Sequence, residues 1–90
     1  MRAHDLLPDH IDSMQTNGIQ VRKGTVGAFL VNARSWLSAD AESEAKLMAQ
    51  LDILDALPAL QALGLFDLMT INDIRLRLLV DNHIEVAERR

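Results

Sequence analysis

The chain has 90 residues, no cysteine and a formal net charge of −4; 49% of its residues are hydrophobic, but the only aromatics are Phe29, Trp36 and Phe66. This length fits one small domain whose core must form without disulfides or thiolate metal sites. The mild acidity gives no general attraction to phosphate backbones or anionic lipid, and no apolar run approaches the roughly 20 residues of a membrane-spanning helix.

Residues 1–18 read as a weakly ordered arm. Pro8, the aspartates at 5, 9 and 12, and Asn17-Gly18 interrupt any long periodicity. Leu7, Ile11 and Met14 fit one short helical face through which the arm, with Leu6, can dock. The stretch Met1-Arg2-Ala3-His4-Asp5 has an early acid and no continuous apolar core, unlike a signal peptide. Ile19-Gln20-Val21 alternates after Asn17-Gly18 and is expected to be one short extended segment, too little for an independent sheet.

A first helix is expected over Val26–Leu37. Thr25 is a natural N-cap, and Val26, Phe29, Leu30, Ala33 and Leu37 fall on one face. Arg34 lies off that face, and Asn32 points away from it. Ser38-Ala39-Asp40 breaks the pattern, and Asp40 is a candidate cap for the next helix, with Glu42 and Glu44 near its positive end. Leu47, Met48, Leu51 and Leu54 then form an apolar face. Pro58 predicts a kink or break near Asp55, with Leu57, Leu60 and Leu63 on a second piece that Gly64 ends in the left-handed conformation. Phe66-Asp67-Leu68-Met69 reads as an apolar connector. Thr70 is expected to cap a last helix that buries Ile71, Ile74, Leu78 and Leu79 and leaves Arg75, Arg77 and Asp81 solvated. That helix either ends at Asp81-Asn82-His83 or runs on through Ile84, Val86 and Ala87.

Leucines at 51, 54, 57, 60 and 63 recur every three residues. A three-residue step falls about 60° short of a helical turn, so five such leucines sweep roughly 240° around the cylinder. That is wider than the stripe of a surface helix or a coiled-coil seam. Short neighbours in a small chain cannot easily cover it, which points to association, most simply as a homodimer. Trp36 and Phe66 join those five leucines as candidate interaction residues, since tryptophan is frequent among interface hot spots. The plainer alternative for Trp36 is that it closes one end of the core.

No catalytic constellation stands out. His4, Asp5, Asp9, His10 and Asp12 have poor spacing for a metal site, and His83 is distant in sequence. Asp52 and Asp55 lie one turn apart, but no histidine, lysine or nucleophile accompanies them at matching spacing. The serines have no Gly-x-Ser-x-Gly elbow, and Gly24-Thr25-Val26-Gly27 lacks the Gly-Lys-Ser/Thr ending of a phosphate loop. A helix-turn-helix formed by Leu57–Leu63 and the helix after Thr70, with Arg75 and Arg77 on DNA, is the alternative reading. Asp67, Asp73 and Asp81 around the reader, and a long connector, weigh against it.

Gly24-Thr25-Val26 entering a helix, Asn32 within it, and Gly64-Leu65-Phe66-Asp67-Leu68 after the leucine-rich segment carry a resemblance. The stretch Lys23 to Leu68 resembles a group of small uncharacterised bacterial proteins. The resemblance implies a compact helical domain of bacterial origin and supplies no site residue. The expected fold is a single all-α domain over 1–90, with the arm at 1–18 and a helical core at 19–90. That core is a small bundle of three to four short helices, and the arm includes one short extended segment. The expected function is a non-enzymatic, cytoplasmic interaction module that self-associates or binds another protein. No cofactor, metal, small-molecule ligand or membrane contact is expected, and nucleic acid only under the alternative.

Overall fold

A computed structural model describes residues 13–16 and 18–88. Among these residues, two short strands lead into four helices: β1 (Ser13–Thr16), β2 (Ile19–Arg22), α1 (Thr25–Leu37), α2 (Ser43–Leu63), α3 (Leu65–Leu68) and α4 (Ile74–Glu88). The protein is a small, mainly helical bundle with an N-terminal hairpin, as the leucine- and alanine-rich composition implies.

β1 and β2 pair antiparallel in the register Ser13↔Arg22 to Thr16↔Ile19. This leaves two positions for the turn, and Gly18 there takes φ 78, the left-handed backbone that two-residue hairpin turns require. The extended segment is thus one half of a hairpin, and Met14 belongs to a strand instead of a short helix. Leu6, Leu7 and Ile11 lie outside the described residues. Two strands alone are marginal in water; here β2 packs on α2 and Val21 is buried.

The chain passes from β2 to α1 through Gly24, which holds φ 87 in the N-cap position. Its carbonyl accepts the Ala28 N–H at 2.8 Å. Thr25 is therefore the first residue of the helix and not its cap. Its hydroxyl donates back to the Arg22 carbonyl at 2.7 Å, tying the helix start to the strand end. Of the expected α1 face, Phe29 and Ala33 are buried, Leu37 is half-buried, and Val26 and Leu30 stay exposed.

α2 begins at Ser43, three residues after Asp40, with Glu42 in the N-cap position. Asp40 instead belongs to the preceding turn, its N–H donating to Ser38 Oγ at 3.3 Å. The helix then runs unbroken for 21 residues with Pro58 inside it, so no break forms at Asp55. An interior proline costs about 3 kcal/mol, but burying one large aliphatic side chain returns about 1.5–3 kcal/mol. Ile53, Leu57 and Leu60, all at 1% exposure or less, surround this turn, and the proline ring faces solvent.

Continuity through Pro58 keeps the inward face of α2 in one register along its length. Ala49, Ile53, Leu57 and Leu60 make one uninterrupted buried stripe. The expected buried face turns outward, with Leu47, Met48 and Leu51 exposed by 55%, 55% and 52% and Leu54 half-buried.

Gly64, at φ 82, ends α2 as the sequence implies, its N–H donating to Gln61 O at 3.0 Å. The connector that follows is itself one helical turn, α3, closed by Met69 N–H to Leu65 O at 2.9 Å. Asp73, and not Thr70, caps α4: its Oδ1 accepts the N–H groups of Arg75 at 2.9 Å and Leu76 at 3.2 Å. α4 buries Leu76 and Val80 and half-buries Leu79 and Ile84, while Ile74 and Leu78 are exposed. Of the expected face, Ile71 and Leu79 pack half-buried against the core, and Ile74 and Leu78 do not. The helix runs on to Glu88, past Asp81-Asn82-His83.

Phe29 and Ala33 of α1, Ile53, Leu57 and Leu60 of α2, and Leu76 and Val80 of α4 form one apolar cluster. Trp36, Leu37, Leu65, Phe66 and Ile71 close around it.

Candidate interaction surface

The residues singled out from the sequence fall into three groups. Leu57 and Leu60 are sealed in the core. Leu54, Leu63, Trp36 and Phe66 are half-buried. Leu51 alone of the five leucines is exposed. Leu47 and Met48, which sequence periodicity assigns to the inside, stand beside it on the outer face of α2.

These three side chains form a ridge. Leu47 and Leu51 are four residues apart, and Met48 is three residues before Leu51, so all occupy one outward sector. Glu44 precedes the ridge by one turn and Asp55 follows it by one turn; both are exposed, as is Asp52. An apolar strip of little more than one turn is thus bracketed by carboxylates.

Trp36 lies at the α1–α2 contact. Its Nε1–H donates to Gln50 Oε1 at 3.1 Å, and Lys46 Nζ sits 5.5 Å from the ring centroid. A paired indole N–H and a cation over the ring account for its half-buried position. Trp36 therefore closes one end of the core. Phe66 likewise meets Phe29 edge to face, ring centroids 6.3 Å apart.

A second apolar feature lies on the other side of α1. A groove of about 340 Å³ runs between Val26, Leu30 and Ala33 on one wall and Phe66, Met69 and Leu76 on the other. Among the described residues, Asp73 is the only charged one lining it. The backbone N–H of Leu76, together with the N–H and guanidinium of Arg75, holds the Asp73 carboxyl below its ordinary value. Arg75 Nη2 is 3.3 Å from Asp73 Oδ2.

Two polar hollows also lie among the described residues. One, of about 520 Å³ between the hairpin, α1 and α2, is lined by Arg22, Thr25, Asn32, Asp52 and Asp55, among others. Asn32 thus faces this hollow. Among the described residues that line it, no histidine, lysine or thiol accompanies the two aspartates. The other, about 210 Å³, lies between Phe66, Met69 and Ile71 with Arg77 and Asp81 on its wall. Arg77 is half-buried, and its Nε has no hydrogen-bond partner among the described residues. Arg77 is therefore not the solvated side chain that spacing suggests. Of the two arginines of the DNA-binding alternative, Arg75 is exposed and engaged with Asp73, and Arg77 is partly enclosed.

Among the described residues no group of three or more histidine, cysteine, aspartate or glutamate side chains could hold a metal ion. His4, Asp5, Asp9, His10 and Asp12 lie outside those residues, and His83 is exposed on α4. No helix among the described residues is long and apolar enough to cross a membrane. No family model, curated protein or solved structure matches this chain.

Proposed function

We propose that the protein is a non-enzymatic interaction module that self-associates through the outer face of α2. The observation that carries this reading is the ridge Leu47, Met48 and Leu51, each about half exposed on a helix whose opposite side fills the core. Large apolar side chains grouped on one exposed sector, with polar residues around them, are characteristic of protein contact sites. The absence of cysteine suits the reducing bacterial cytoplasm in which this reading sets the protein.

Sedimentation equilibrium of the full chain over a range of micromolar concentrations tests it. The expected result is a mass rising with concentration in the parent chain, and a constant single-chain mass in Leu51→Glu. A parent chain that remains a single-chain species throughout overturns the proposal.

A further inference from the structure

Arg77 and Asp81 share the wall of the hollow of about 210 Å³ that opens between α3, the residues after it and α4. They lie four residues apart on one helix, the spacing at which an arginine and an aspartate can pair. Yet neither side chain has a hydrogen bond or ion pair to a described residue. Their order is the weaker one, since an acid that precedes a base along a helix pairs better than the reverse. Arg77 is half-buried with its Nε closed off from solvent, and Asp81 is exposed. A guanidinium stays charged at any ordinary pH. One cation and one anion, uncompensated by each other, thus border the same small space.

The remaining lining is three apolar side chains, Phe66, Met69 and Ile71, and the Thr70 hydroxyl. We infer that this hollow is a binding site for a free α-amino acid with an apolar side chain. The carboxylate of such a ligand pairs with the Arg77 guanidinium, a charge-assisted contact that arginine geometry favours. Its ammonium faces Asp81, and its side chain lies against Phe66, Met69 and Ile71. Other ligand classes each leave a group unmatched. A simple carboxylate sets its charge near Asp81 with no cation between them, and a phosphate does so more strongly. An uncharged apolar molecule leaves Arg77 uncompensated. Size points the same way, because pockets for drug-sized ligands enclose about 300–1,000 Å³. This site does not depend on self-association, since α2 contributes no residue to the hollow.

NMR titration of the full chain with L-leucine tests the assignment. The expected result is saturable change in the amide signals of Thr70, Ile71 and Arg77 at millimolar leucine. Leucinamide, which lacks the carboxylate, and isocaproate, which lacks the ammonium, are each expected to bind more weakly. Arg77→Gln is expected to weaken leucine binding by roughly tenfold or more. Asp81→Asn is expected to weaken leucine binding while leaving isocaproate binding unchanged or stronger. That reversal of preference is a readout that a purely structural role of Asp81 would not move. Circular dichroism verifies helical content in both variants. Should Arg77→Gln lose helix, the ligand series on the parent chain and the Asp81→Asn comparison decide.

An absence of change at Thr70, Ile71 and Arg77 up to the solubility limit of leucine overturns the proposal and leaves the hollow to water. Isocaproate binding the parent as tightly as leucine overturns the amino-acid assignment, because the hollow then takes a carboxylate alone. Leucine binding that survives both substitutions unchanged places the ligand elsewhere and overturns it as well.

Discussion

Phe29 and Phe66 meet edge to face with their rings inclined at 70°, and this contact joins α1 to the single turn of α3. Such aromatic pairs contribute about 0.5–1.5 kcal/mol beyond the area they bury. Phe66→Leu keeps most of the buried area and removes the ring, so it is expected to lower stability by about 1 kcal/mol. Urea unfolding followed by circular dichroism measures this. A double-mutant cycle with Phe29→Leu should return a coupling of the same order.

Pro58 offers the opposite change. Its ring is exposed on an unbroken helix, so replacing it restores an amide donor without opening the core. Pro58→Ala is expected to raise stability by up to about 3 kcal/mol. In a domain of this size each kcal/mol shifts Tm by about 4–8 °C. A thermal scan that shows no rise would mean that the surrounding turn has adapted to the proline.

The leucines at three-residue intervals should separate into two classes. Leu57→Ala or Leu60→Ala removes a fully enclosed side chain and is expected to cost about 2–5 kcal/mol, a large part of a small domain's stability. Leu51→Ala should change the unfolding free energy of the isolated chain by less than about 1 kcal/mol. Denaturant titration at low protein concentration reads the difference free of association.

Asp73 ties part of the protein's stability to acid. Hydrogen bonds from the Leu76 and Arg75 backbone, with the Arg75 guanidinium, lower its folded pKa from the ordinary 3.8. The unfolded chain therefore takes up this proton first as the pH falls. The contribution is complete above that ordinary value and is lost as the pH drops through the lower, folded one. Asp73→Asn keeps a capping oxygen but has no charge to titrate. Its stability should decline less steeply than that of the parent below the ordinary carboxylate range, as measured by urea unfolding at a series of acidic pH values.

What was legible in the sequence depended on how local the deciding physics is. The all-α class follows from composition, and the end of α2 from Gly64, because a left-handed C′ residue strongly favours glycine. The inward face of α2 was not legible. Leu47, Met48, Leu51 and Leu54 have helical spacing, and so do Ala49, Ile53, Leu57 and Leu60; the choice is made by Phe29, Leu76 and Val80, which lie on other helices. Pro58 by itself is compatible with a kink or a break, and a break would divide the true stripe between Ile53 and Leu57. The same ambiguity hid Leu47 and Met48 from the candidate interaction residues and placed Leu57 and Leu60 among them. In the hairpin, Asn17-Gly18 signalled a turn, but Ser13-Met14-Gln15-Thr16 has a single apolar residue and so no alternation to read. Thr70 and Asp73 are both capping types, and only the path out of α3 selects between them.

One backbone torsion has a reach beyond its own residue. Gly64 closes α2 and opens α3, so its φ of 82 aims the short turn that carries Phe66. An added methyl there would find room, with Asp67 Oδ2 at 3.6 Å, yet its L-configuration would resist that angle. The far bank of the hollow beside α1 is thus steered by a hinge with no side chain, and alanine at this position would re-aim the bank without altering any atom that lines it.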